Sequence, residues 1–183
     1  MNAEERAIQE TKNWITDVVI GNNFCPFASR VVKADTIRYR VTSSPRMEDI
    51  LQTFLDECAY LDDNPEIETA LLILLNSNEN FDDYLELVGL AEDLIDEEDY
   101  EGVYQVASFH PAYVFAGAPP DDPANFTNRS IYPMLHLLRE ESIERALEKF
   151  PNPESIPDNN IAFARKKGFA ALEALRKACE LPR

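Results

Sequence analysis

Between Thr36 and Ser108 three stretches of strand-like pattern alternate with two of helical pattern, and this rhythm restricts the fold more than any other feature of the chain. Residues 36–41 set Ile37, Tyr39 and Val41 against Arg38 and Arg40, the period of a half-buried strand. Residues 69–75 are continuously apolar after Thr69, as in a strand covered on both faces. Residues 103–108 read as a third strand. Ser44-Pro45 opens a helix running to about Leu61, with Ile50, Leu51, Phe54, Leu55 and Cys58 inward. Asn80 caps another over residues 81–97, with Phe81, Leu85, Val88, Ala91 and Ile95 inward. Helices lying between strands on short linkers predict parallel pairing by helical crossovers.

The ends of the chain complete an α/β (or α+β) fold: a small three- to four-stranded sheet with a helical C-terminal part, residues 1–183 forming one domain. Residues 4–20 predict a helix with Ile8, Trp14, Ile15, Val18 and Val19 on one stripe and Gly21 as its C′ residue. GNNFCPFASR follows as irregular chain. Helices resume near Tyr132, with a break at Ser142, and Asp158 caps a last helix to about Cys179. A ferredoxin-like variant would need an antiparallel strand, for which Tyr113-Val114-Phe115-Ala116 is the candidate.

Residues 109–130 have no period and contain four prolines. Long unstructured connections inside compact folds tend to be functional or disordered, and this one carries too many aromatic anchors for disorder. It leaves the third strand at the edge where open parallel sheets bind ligands, and His110 sits there. The chain has two histidines, His110 and His136, both in or just after this loop. Histidine titrates near neutral pH and suits proton transfer. Cys25 lies in a loop before Pro26 and would be a nucleophile if a histidine folded against it. Cys58 and Cys179 fall on inward helix stripes and read as small hydrophobes.

Charge narrows the ligand. From Met47 to Asn128 there is no Lys or Arg, and that stretch holds 21 of the 34 acidic residues. A net charge of −17 argues against nucleic acid and against anionic membranes as partners. An anionic ligand would be met by Arg38, Arg129 and Arg139, whose guanidinium forks suit carboxylate or phosphate. Glycines stand singly at 21, 89, 102, 117 and 168, which excludes phosphate-cradling loops and dinucleotide fingerprints. MNAEERAIQE lacks an apolar leader core, the longest apolar run is too short to span a bilayer, and three cysteines make no disulfide framework; a cytoplasmic protein is expected.

The stretches NWITDVVIGNNFCPFA, ETALLIL, QVASFHPAYVFAG, DDPANFTNRSIYPMLHLLRE and NNIAFARKKG resemble a family of bacterial proteins of about this length, classed as a domain of unknown function. The resemblance spans nearly the whole chain and departs at Ile131, where the family pattern has proline. It implies no activity, substrate or cofactor. Cys25, His110, Asp122, Asn125, Asn128, Arg129, His136 and Arg139 match its motif positions.

Three functions follow. The first is a small enzyme on an anionic small molecule, with His110 as acid/base, Cys25 as nucleophile, and Arg38, Asp122, Asn125, Asn128, Arg129, His136 and Arg139 in binding. It requires the Cys25 turn and the stretch from His110 to Arg139 to meet in one crevice. The second is a non-catalytic module binding a basic protein through acidic helix faces that carry Asp82, Asp83 and Asp96. The third is a metal-binding or redox-sensing protein using Cys25 and the histidines, with Asp121 or Asp122 completing a zinc set whose spacing matches no recurring pattern.

Overall fold

The computed structural model describes residues 1–148 and 150–182. It is a mixed α/β fold. Four strands, β1 (Ile37–Thr42), β2 (Thr69–Leu74), β3 (Tyr104–Phe109) and β4 (Met134–Arg139), form one open sheet in the order β1-β2-β4-β3. β1 and β2 pair in parallel, Ile37 opposite Thr69 through Thr42 opposite Leu74. β2 and β3 do not pair. β4 lies between them, antiparallel to both, with Leu71 and Ala107 flanking His136. The antiparallel strand is therefore residues 134–139, which were expected to be helical, and not residues 113–116. Its two polar residues, His136 and Arg139, fall on opposite faces of the strand, so Met-Leu-His-Leu-Leu-Arg carries no polar alternation to mark it.

α3 (Met47–Asp63) and α4 (Phe81–Glu97) cover one face of the sheet. Ile50, Phe54 and Leu61 of α3 and Leu87 and Ala91 of α4 pack on Ala70, Leu72, Leu135 and Leu137. Each Leu, Ile or Phe side chain among them contributes roughly 1.5–3 kcal/mol when taken fully from water. The inward stripe of α4 is rotated from the expected one: Tyr84 and Leu87 are buried and Leu85 is 45% exposed. Asp82, Asp83 and Asp96 face solvent.

The other face is covered by α1 (Ala3–Trp14), α6 (Ile156–Lys167) and α7 (Phe169–Ala178), with Trp14, Ala164 and Leu172 against Leu71, Ile73 and Met134. α1 continues as a π-helix over Ile15–Ile20, a wider turn often found at functional sites. Gly21 ends it with right-handed φ −59°, not the left-handed C′ conformation expected; a Cβ there would collide with the carbonyl of Asp17. The GNNFCPFASR stretch leads into a short unexpected helix, α2 (Ala28–Ala34), and α5 (Glu140–Leu147) follows β4 directly. The last predicted helix is two, parted at Gly168, whose φ of 86° favours glycine. Among the described residues no helix is long and apolar enough to cross a membrane.

Candidate functional site

A cavity of about 310 Å³ opens on the second face of the sheet. Leu71, Ala107, His136 and Leu138 form its floor, and Trp14, Ile15 and Val19 from α1 and the π-helix form one wall. Cys25 and Phe27 precede a second wall of Arg30 and Val31 on α2. Ile143 and Ala146 of α5 close the remaining side, and Phe27 meets Phe150 edge-on at 5.7 Å. Ile37, Thr69 and Gln105 place the cavity over the amino ends of the three parallel strands, opposite the rim expected from fold analogy.

His136 points from the central strand into this space. Its Nε2 lies 2.7 Å from Thr69 Oγ1, and the Thr69 hydroxyl also bonds the Leu137 carbonyl. A hydroxyl has one hydrogen. With that hydrogen on the carbonyl, Nε2 carries the imidazole proton and donates to Thr69. Nδ1 is then the bare nitrogen, and it has no partner among the described residues. Burial pushes the imidazole pKa down to about 4, so the ring is neutral at pH 7.

Cys25 lines the same cavity. Burial raises its thiol above the ordinary cysteine range, outweighing backbone N–H groups of Phe27 and Ala28 that act the other way. The protonated thiol is a poor nucleophile at neutral pH. Cys25 should therefore react with a disulfide reagent at pH 7 more slowly than a free cysteine, because less of it is thiolate. A rate equal to or above that of free cysteine would restore the nucleophile. Cys58 and Cys179 are buried as expected.

At the mouth Arg30 pairs with Glu68 at 2.9 Å, and this bond holds the Glu68 carboxyl below the usual carboxylate range. Arg139 contributes its stem. Its guanidinium donates to the carbonyls of Ile67, Leu61 and Asn64 and to the Tyr104 hydroxyl, tying β4 to the end of α3.

The other expected site residues lie elsewhere, and each has a structural partner. His110 is 1% exposed; its Nε2 donates to the Asn78 carbonyl at 2.9 Å and its Nδ1 accepts from the Ala112 N–H at 3.0 Å. Arg129 donates to the carbonyls of Tyr113 and Pro120 and stacks over Phe126. Asn125 spans the loop between the Phe115 N–H and the Pro119 carbonyl. Asn128 donates to the Ser108 carbonyl. Asp122 caps the 3₁₀ turn Pro123–Thr127 through the Ala124 N–H and pairs with Arg165 at 2.7 Å. Arg38 is on the opposite face of the sheet, with Glu57 at 3.1 Å and Tyr60 beneath it.

Cys25, His136 and the stem of Arg139 thus share one cavity, which the loop from His110 to Arg129 does not line. An irregular loop has backbone groups that no ladder satisfies, and its Asn, Asp and Arg side chains do that work here. Sequence reasoning missed Arg30, Glu68, Thr69 and the apolar walls. The cue for Thr69 was its place at the polar start of an otherwise apolar strand. Among the described residues no group of three or more His, Cys, Asp or Glu is placed to hold a metal ion.

A family model described as "Protein of unknown function (DUF1415)" matches residues 6–174. No curated protein and no solved structure matches the chain.

Proposed function

Because the chain belongs to this family of unknown function, we propose its role from the geometry: it binds a small, largely apolar molecule in the cavity between the sheet, the π-helix, α2 and α5. The observation that carries this reading is the cavity itself. It is concave, walled by Trp14, Ile15, Val19 and Ile143, and supplied with two polar atoms that have no partner among the described residues, His136 Nδ1 and the buried Glu68 Oε2. Its volume of about 310 Å³ sits at the lower end of the range for ligand pockets. Binding is favoured over catalysis because burial leaves the Cys25 thiol protonated. The arginines expected to hold an anion are engaged elsewhere, so the expected anionic ligand gives way to an apolar one.

Trp14 is the only tryptophan in the sequence and lines the cavity, so one indole N–H signal in a ¹H–¹⁵N spectrum reports its filling. Titrated naphthalene should shift that signal saturably. Ala107→Phe sets a ring on the cavity floor and should weaken naphthalene by about tenfold or more, equivalent to about 1.4 kcal/mol, while thermal stability stays level or rises. An unshifted indole signal, or equal binding by the Ala107→Phe variant, would refute the site.

A further inference from the structure

Resting on that cavity reading, we infer that the ligand's polar end is a neutral hydrogen-bond donor, an alcohol or phenol, and not a carboxylate. Thr69 decides this. Its hydroxyl bonds the Leu137 carbonyl within the sheet, which makes it an acceptor towards His136 Nε2 and leaves Nδ1 as the bare nitrogen. An aromatic nitrogen with a lone pair accepts a hydrogen bond and donates none.

The charged groups around the cavity point the same way, and Gln105 at its rim offers an amide that serves donor and acceptor alike. Arg30, the cation at the mouth, already holds Glu68. The Arg139 guanidinium is turned to the carbonyls of Ile67 and Leu61. Ser142 accepts from Arg145, and its own hydroxyl hydrogen is directed to the Glu68 carboxylate, whose pKa it helps to hold down. A carboxylate entering here would face a lone pair at His136 and the negative charge of Glu68, with no free guanidinium to meet it. A hydroxyl would donate to Nδ1 while its apolar body lay against Trp14, Val19 and Leu138. The neutral state of the ring, fixed by burial, is consistent with an acceptor role across the physiological range.

The experiment compares three probes of one shape: naphthalene, 2-naphthol and 2-naphthoate, each titrated against the Trp14 indole signal at pH 7. 2-Naphthol is expected to bind about tenfold more tightly than naphthalene, the worth of one hydrogen bond in a buried site. 2-Naphthoate should bind no better than naphthalene. His136→Phe keeps an aromatic ring but removes the acceptor, and should erase the preference for 2-naphthol while naphthalene still binds. The ¹⁵N shifts of His136 are read in parallel and should report a protonated Nε2 and a bare Nδ1. Tighter binding of 2-naphthoate, indifference between naphthalene and 2-naphthol, or a proton on Nδ1 would each overturn the inference while leaving the cavity reading intact. If none of the three probes moves Trp14, the cavity reading fails, and the inference with it.

Discussion

Replacing His110 with alanine is expected to destabilise the protein by about 3 kcal/mol or more in a urea melt, one of the two largest single-residue effects predicted here. The ring sits between Phe81 and Tyr84, with centroids 5.2 and 4.9 Å away, and is 1% exposed. Removing it leaves the Asn78 carbonyl and the Ala112 N–H without the partners they have at 2.9 and 3.0 Å. Both groups are only part-buried, so each lost bond costs roughly 1 kcal/mol, and the space vacated between the two rings adds a packing loss. The His110 N–H also bonds the Asn128 carbonyl, so the residue joins the segment before α4 to both ends of the long loop. Unchanged stability in His110→Ala would show that the ring is no brace and would return it to the candidates for proton transfer.

Arg129→Ala is expected to cost about 2–3 kcal/mol, again from two stranded carbonyls, those of Tyr113 and Pro120, together with lost stacking on Phe126. Arg129→Lys should recover only a minor part of this. A lysine keeps the charge but presents a point donor where the loop uses a planar fork. The sign of the effect separates the two roles an arginine has in such a loop. An anion-binding arginine is held for a ligand and tends to be neutral or costly in the empty protein, so its removal leaves stability level or higher. A bracing arginine is already at work in the ligand-free state. A melt in which Arg129→Ala equals or exceeds the parent protein would reverse the assignment made here.

These two residues also show where the sequence was readable. β2 was legible because every residue of Thr69–Leu74 is buried, and full burial leaves an unbroken apolar run. β1 was legible because its neighbours differ by face: Ile37 and Tyr39 belong to the apolar layer, while Arg38 reaches Glu57 on α3. β4 was hidden. It is built of Leu, Met and Arg, which favour helices, and it contains no Val or Ile. Its strand state comes from the vacant ladder between β2 and β3, a tertiary cause that no local window contains. α2 was missed for a related reason, since it buries no residue fully and so carries no stripe.

The candidate site was half legible. Of the expected residues His136, Cys25 and the stem of Arg139 share the cavity, whereas His110 does not line it. The loop misled because Asn, Asp and Arg look alike in sequence whether they bind a ligand or hold their own backbone. Asn125 and Arg129 do the second. The apolar walls were invisible as a site because Trp14, Val19 and Ile143 read as ordinary core until three-dimensional packing leaves a space among them.

The last strand in chain order fills a middle slot of the sheet. A nascent chain that has emerged only to the end of the long loop therefore carries two raw ladders, one on β2 and one on β3, with nothing between them. Such open borders are templates for sticking to a neighbouring chain. The wait for residues 134–139 predicts that translation stalls or C-terminal truncations before Met134 yield insoluble material, whereas losses beyond α6 leave the sheet able to close.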